Sequence, residues 1–384
     1  MTITNQKNNL RQGTLTTRRG NLYTPFFMPV ATKACIKGLL PHDMDHLNAQ
    51  LLLMNTYHLF LRPGYHLVHQ LGGLHSFSTW EKPILTDSGG YQVFSLAHKR
   101  KISEQGVEFQ SHLDGSKHML SPEESIRTQY YLGSDLIMVL DECPAGDSDY
   151  HYVKNSLELT TRWAERSRRE LDRLCEQDHL PSDKRPLLFG IVQGGTFLDL
   201  RQESLRQLQD IGFDGYAIGG VSVGEPRPEV LRIIKEIAPL LPEDKPRYLM
   251  GLGKPEEIAY ATAHGVDMFD CVIPTREARH GNIYTWTSAH KERDVHAFLD
   301  QVYETSQIPE TSFVKAEKIQ SLSNRDNLQS LDPYADWPEA QRYSRAYIRH
   351  LFQTKEQAGL SYLTKYNLSF YLEMMKYIRS YSKP

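Results

Sequence analysis

The chain has 384 residues, 40% of them hydrophobic, enough to bury a full core and a second small lobe. A net charge of −3 excludes a global basic field for nucleic acid, so any such surface must be local. The four cysteines (Cys35, Cys143, Cys175, Cys271) form no CxxC pair, and the polar stretch 1–13 lacks the apolar core of a signal peptide. Both features predict a cytoplasmic protein in a reducing compartment, and no apolar run nears the roughly 18 residues of a membrane span.

Beyond the polar start, eight short apolar runs recur, each closing on Gly, Pro or a polar residue. They are Phe26–Ala31, Leu51–Tyr57, Ile84–Gly90, Leu136–Glu142, Leu187–Gly195, Tyr216–Val221, Tyr248–Gly253 and Met268–Pro274. Near-continuous hydrophobicity of this kind fits strands buried on both faces. Helices are predicted between most of them. Ser121-Pro-Glu-Glu124 is a capping box with Pro at the first helical position. A long charged helix follows over Tyr152–Cys175, with others over Asp199–Gln209, Pro228–Ile237 and Pro255–His264. Eightfold alternation predicts an α/β chain folded as a (β/α)8 TIM barrel, with an open doubly wound sheet as the competing architecture.

Between the third and fourth runs, Val107–Leu113 and Ser116–Leu120 flank Asp114-Gly115, the signal for a two-residue type I′ hairpin. It predicts an antiparallel hairpin inserted in a βα loop over the barrel mouth. The barrel pattern ends near Pro274, which divides the chain into a catalytic barrel with an N-terminal extension (1–285) and a C-terminal helical lobe (286–384). Trp286 to Ser330 reads as polar, irregular and partly mobile. Pro338–His350 and Leu360–Ser380 read as amphipathic helices dense in tyrosine. From Gln341 onward, eight cations (Arg342, Arg345, Arg349, Lys355, Lys365, Lys376, Arg379, Lys383) face only Glu356 and Glu373. This basic stretch is either a solvated helix face or a nucleic-acid contact.

In a (β/α)8 barrel, polar groups at the C-terminal strand ends line the active site. Here the runs end in Asp87-Ser-Gly-Gly-Tyr-Gln92, Asp141-Glu-Cys-Pro144, Gln193-Gly-Gly195, Gly219-Gly-Val-Ser-Val-Gly-Glu225, Met250-Gly-Leu-Gly253 and Asp270. Three Asp, one Gln and repeated Gly describe a polar pocket with close backbone approach, suited to a flat, donor-rich ligand. No His-x-His or His/Cys cluster calls for a catalytic metal. Asp270 interrupts the apolar stretch Met268–Ile273, and a buried carboxylate is costly unless something pairs with it. It is either a nucleophile facing an anionic polymer or a structural acid paired with a neighbouring arginine.

The segments TDSGGYQVFSL, VLDECP, GIVQGG, AIGGVSVGE, YLMGLG and MFDCVIPTR, in this order and spacing, resemble the bacterial tRNA-guanine transglycosylase (queuine tRNA-ribosyltransferase) family. The likeness runs from about Gly13 to Gly281 and resumes at LDP and YSRAY. It implies exchange of guanine at the anticodon wobble position of tRNA for a 7-deazaguanine, without strand cleavage, in queuosine biosynthesis. Carried over by motif, Asp270 is the implied nucleophile and Asp87 the proton donor and acceptor. Asp87, Ser88, Gly89, Gly90, Asp141, Gln193, Gly219, Gly220, Val223 and Glu225 are implied to hold the base, sandwiched between Tyr91 and Met250. Gly251, Leu252, Gly253, Lys254, Thr275, Arg276 and Arg279 are implied RNA contacts, with the basic C-terminal helices behind them. Val223 and Cys143 imply preference for 7-aminomethyl-7-deazaguanine over queuine, and Tyr343, Tyr347 and His350 imply a homodimer.

The chain also departs from the family pattern. Val221, Ser222 and Glu277 stand where Leu, Ala and Asn are usual, and Val295–Thr311 has no placed counterpart. The family's structural zinc ligands fall at Ala335, Trp337, Ala340 and Tyr366, so no cofactor is expected. The rival reading is a non-catalytic tRNA-binding or regulatory subunit of a heterodimer; intact catalytic motifs favour the enzyme.

Overall fold

The computed structural model describes residues 1–96 and 99–382. Eight short parallel strands carry the eight predicted runs: β1 (Phe26–Pro29), β2 (Leu52–Met54), β3 (Ile84–Thr86), β4 (Leu136–Met138), β5 (Leu187–Val192), β6 (Gly215–Ile218), β7 (Arg247–Leu249) and β8 (Met268–Cys271). Their order is β1-β8-β7-β6-β5-β4-β3-β2. The Ala31 N–H donates to Leu53 O at 2.6 Å, and Val30 bridges Leu53 in parallel, which joins the two ends. The sheet closes as a (β/α)8 barrel, and the open sheet is excluded.

Each run begins as strand, and its polar end leaves the sheet. The Leu51–Tyr57 run is the clearest case: only Leu52–Met54 is strand, and a helix starts at Thr56. The Thr56 N–H is taken by the Asp87 carboxylate at 2.8 Å instead of a neighbouring strand. The polar start is itself structured, as an antiparallel sheet of Thr2–Lys7, Leu10–Thr17 and Gly20–Thr24. Leu10, Leu15 and Leu22 are buried, and Arg11 and Arg18 pair with Asp267 and Asp135, the residues just before β8 and β4. This sheet therefore covers the end of the barrel opposite the strand C-termini. Among the helices, Ser121 caps Pro122–Leu132 by accepting the Glu124 N–H at 3.1 Å. The return half of the predicted capping box is absent, because the Glu124 carboxylate takes Tyr65 Oη and Arg127.

The insert after β3 differs from the prediction. It is a three-stranded sheet, Arg100–Ser103, Gly106–Gln110 and Lys117–Leu120. Gln110 pairs with Lys117, so the connecting loop has six residues instead of two. Gly115 has φ +74° but Asp114 lies outside the positive region, and a type I′ turn needs both. The loop closes instead through Ser111 N–H to Ser116 O and Gly115 N–H to Ser111 O. At the other end, the Glu104–Gln105 turn is clamped to the helix Tyr150–Gln177 by Arg162, Trp163 and Arg166. Val107, Phe109 and Leu120 pack with Tyr57 and Leu140, which places the insert beside the C-terminal ends of β2 to β4.

The segment expected to be irregular, 286–330, contains a helix and a paired strand. A strand Asn282–Trp286 pairs with Val314–Lys318, and a helix runs over Lys291–Thr305. That helix buries Val295, Phe298, Leu299 and Val302, a stripe at spacings of three, four and seven residues. The stripe is sparse among charged neighbours, so composition alone reads it as loop. The C-terminal segment forms Arg345–Gln353 and Gln357–Ser380. The second is a core helix: Leu368, Phe370, Tyr371, Met374 and Ile378 are buried, and Tyr371 lies 5.0 Å from the Phe27 ring of β1.

The basic stretch is correspondingly smaller than expected. Arg345, Lys365 and Lys376 pair with Glu317, Asp43 and Asp336, and Arg379 donates to Pro25 O at 2.7 Å. Arg342, Arg349 and Lys355 have no acid partner among the described residues, and Lys383 lies outside them.

Candidate active site

At the end of β8, Asp270 is held by two donors. Tyr248 Oη, from β7, donates to Oδ1 at 2.6 Å, and the Gly251 N–H donates to the same oxygen at 3.0 Å. Among the described residues no arginine reaches it: Arg276 lies 3.6 Å from Glu277, and Arg279 donates to Thr275 O. The reading of Asp270 as half of an ion pair therefore fails. Burial raises its pKa, a rise that its two donors only partly offset. The unbonded oxygen of an acid so placed is free to attack an electrophile.

Asp87, at the end of β3, is buried and accepts Asn55 Nδ2 at 2.5 Å and the Thr56 N–H at 2.8 Å. Burial pushes its pKa up to about 6, and the nearby charge of Asp270 pushes the same way. The two acids thus lie close enough to influence each other, one at the end of β3 and one at the end of β8, across the barrel mouth. Asp141, at the end of β4, is the third acid. It accepts Gln193 Nε2 at 2.7 Å and Ser88 Oγ at 3.3 Å, and burial lifts it to about 6.

The predicted glycines are required by close approach. A Cβ on Gly219 or Gly220 would lie 2.9 or 2.3 Å from the Gln193 amide, and one on Gly90 would lie 2.9 Å from Asp141 O. Gly89 takes φ +83° beside Thr56. The loop after β6 is tied by Glu225, whose carboxylate accepts the N–H groups of Ser222 and Val223 at 2.5 and 2.9 Å. Gly146 N–H donates to Val223 O, and a Cβ on Gly146 would lie 2.3 Å from Glu225 N. Tyr91 is exposed beside this pocket's Gly90, and Met250 is half-buried at the end of β7.

Of the predicted RNA contacts, Gly251, Lys254 and Arg276 are exposed and Arg279 is half-buried. Leu252, Gly253 and Thr275 are buried: a Cβ on Gly253 would strike Cys271 Sγ, and Thr275 Oγ1 donates to Val272 O. Glu277 is occupied locally by Asn282 Nδ2 at 2.5 Å. The sequence reading missed Asn55, Tyr248 and Arg201. Asn55 and Tyr248 lie inside or at the end of predicted strands and look like core; only the barrel brings them onto Asp87 and Asp270.

Compared with known proteins, residues 6–381 match the family described as Queuine tRNA-ribosyltransferase. The chain is 47% identical over 369 residues to a Halothermothrix orenii protein of that name, covering 96% of this chain and 89% of the relative. The proteins of the same name from Solidesulfovibrio magneticus and Psychrobacter sp. are 46% and 44% identical, with 96% of this chain and 90% and 88% of theirs covered. This chain belongs to the queuine tRNA-ribosyltransferase family.

Within this family member, the expected zinc positions hold no zinc-binding chemistry. Ala335 and Ala340 are buried methyl groups, and half-buried Trp337 lies 5.3 Å from the Tyr362 ring. Tyr366 is fully buried, its hydroxyl 2.8 Å from Asp332 Oδ2 and 2.7 Å from Tyr284 O. A structural zinc needs thiolates or imidazoles, and these four residues do not fit one. They pack instead in a small second core with Ile283, Leu331, Ile348 and Leu363. Lys291 braces that lobe, pairing with Glu373 and with Asp336 at 2.6 Å.

Proposed function

We propose that this queuine tRNA-ribosyltransferase family member exchanges guanine at the wobble position of tRNA for a 7-deazaguanine through a covalent Asp270–ribosyl intermediate. One observation carries the reading: an acid at the barrel mouth, oriented by two donors and no cation, faces a second acid whose pKa lies near 6. Asp270 attacks C1′ of the ribose, the C1′–N9 bond breaks, and its electron pair leaves with guanine. Protonated Asp87 supplies the proton that neutralises the departing base. The carboxylate then takes a proton from the incoming base, whose N9 attacks C1′ and frees Asp270, so the net proton change is zero. One difficult displacement becomes two easier ones, as in retaining glycosidases. A pKa near 6 suits a group that must both give and take a proton close to neutrality.

The base lies between Tyr91 and Met250, its N–H edge on Asp141 and its carbonyl toward Gln193 and the Gly220 backbone. Such a base must leave its stack to enter the pocket. Exposed Lys254 and Arg276 suit phosphates of the anticodon arm, which position the RNA without reading its sequence. The protein works as a cytoplasmic homodimer: Tyr343 and Tyr347 are exposed, 5.8 Å apart, on the wall of a groove that also includes Leu47 and Trp337. No described helix is long and apolar enough to cross a membrane. The reading of a silent tRNA-binding subunit has no observation in its favour.

The test is Asp270→Asn, which keeps shape and loses the nucleophile. Incorporation of labelled guanine into tRNA is expected to vanish while gel-shift binding of tRNA persists. Substantial exchange by the variant would remove Asp270 from the reaction.

A further inference from the structure

Arg201, on the helix Leu198–Ile211, is fully buried and has no acid within ion-pair distance among the described residues. Isolated buried charges are costly, and the protein meets this one with hydrogen bonds to carbonyls, while the Glu225 carboxylate favours it from beyond ion-pair distance. The guanidinium donates to Gly195 O at 2.7 Å, Val192 O at 3.3 Å, and Gly219 O and Gly220 O at 2.9 Å each. Burial lowers its pKa to about 10, so it stays charged at neutral pH. The surroundings leave it that room: a Cβ on Gly194 would sit 2.7 Å from Arg201 Cγ.

The consequence lies on the other side of those peptides. Both are trans, and in a trans peptide the carbonyl and the following N–H point in opposite directions. With the Gly219 and Gly220 carbonyls turned to Arg201, the N–H groups of Gly220 and Val221 turn away from it. Neither N–H has a partner among the described residues, whereas the preceding Gly219 N–H is paired with Val192 O. Two residues further, the Glu225 carboxylate takes the Ser222 and Val223 N–H groups. The loop is thus stretched between a buried cation on its carbonyls and an anion on its amides, and it passes so close to Gln193 that a Cβ on Gly220 would lie 2.3 Å from Gln193 Oε1.

We propose that Arg201 is a positioning residue for base exchange, orienting and polarising the Gly220 and Val221 N–H groups toward the base oxygen that gains charge as the glycosidic bond breaks. This rests on the base-exchange reading above. Donors fixed on developing charge act more strongly on the transition state than on the bound base. The residue therefore governs kcat more than KM, and matters most for bases that hold negative charge poorly.

The experiment compares wild type with Arg201→Lys, following the step in which 7-deazaguanine or its 7-cyano derivative attacks the ribosyl intermediate and passes through the same N9-charged form as the departing guanine, with melting curves as the fold control. The cyano group itself withdraws charge, so this base depends less on the amides. For 7-deazaguanine, kcat is expected to fall about 10- to 100-fold with KM little changed; for the cyano base the fall is clearly smaller. An equal loss for both bases, a loss confined to KM, or no loss overturns the proposal. If Arg201→Lys melts below the assay temperature, Arg201→Gln is measured instead. Failure of both to fold makes Arg201 purely structural and likewise overturns it. A wild-type protein that exchanges neither base defeats the base-exchange reading itself, a distinct result.

Discussion

Replacing Asp141 with Asn is expected to stabilise the protein while damaging the pocket. Asp141 is buried, and burial lifts its carboxyl from 3.8 to about 6. A folded-state pKa above the unfolded one means that the native state binds the proton more tightly. Below pH 4 both states are protonated and the group costs nothing. As pH rises through this window, the unfolded state ionises first and stability is lost, until above 6 the full penalty is present. The size follows from 1.36 kcal/mol per pKa step, about 3 kcal/mol at pH 7.5 and about half that at pH 5. Asparagine avoids this cost at nearly the same shape. Its amide also has a partner ready, because Gln193 Oε1 is buried without a hydrogen bond and a flip of that side chain presents it. With an unfolding entropy of about 2 cal/mol/K per residue, 3 kcal/mol corresponds to about 4 °C in Tm for a chain of this length. The assay is thermal and denaturant melting of both proteins at pH 5 and 7.5, with KM for the base measured alongside. The variant should gain more at pH 7.5 than at pH 5 and bind the base poorly, a trade common at functional sites. A variant destabilised at both pH values, or with a gain that shrinks as pH rises, refutes the argument.

Base size gives a second test. Val223 is held by Glu225 and Gly146, so it cannot easily yield to a bulky substituent at C7; 7-aminomethyl-7-deazaguanine should outcompete queuine for labelled tRNA, and preference for queuine would sink this reading of the loop. In the C-terminal lobe, a strong chelator should leave the melting curve unchanged, and a chelator-induced drop would show that metal binds there. Tyr366→Phe, which strips a buried hydroxyl from Asp332 and Tyr284, should cost about 1–3 kcal/mol in denaturant melts. Half-buried Trp337 should tolerate alanine better than its size suggests, and the reverse ranking would contradict the packing described. Light scattering at micromolar concentration should return the mass of a dimer, and monomer mass alone would refute it.

Much of this protein is determined by local pattern. Eight apolar runs define eight barrel strands because a strand buried on both faces tolerates almost nothing polar until it emerges. The acids at Asp87, Asp141 and Asp270 stand out for the same reason: the first two are the first charges after an apolar run, and Asp270 is the one charge inside such a run. The asparagine at 55, the tyrosine at 248 and the arginine at 201 carry no such mark. Asn55 and Tyr248 sit among apolar residues, and Arg201 sits on a helix rich in charge, where solvent exposure is the default expectation. Only the pairing of strands in the parallel sheet brings β2 beside β3 and β7 beside β8, and only packing onto that sheet brings the helix after β5 beneath the loop after β6. The same holds for the lobe, where the stripe from Val295 to Val302 acquires meaning from the long C-terminal helix it packs beside. Local sequence determines which segments must be buried, since that follows from hydrophobicity and period. Tertiary structure decides which polar atoms meet inside, since hydrogen bonds act over about 3 Å and their partners here lie tens of residues apart.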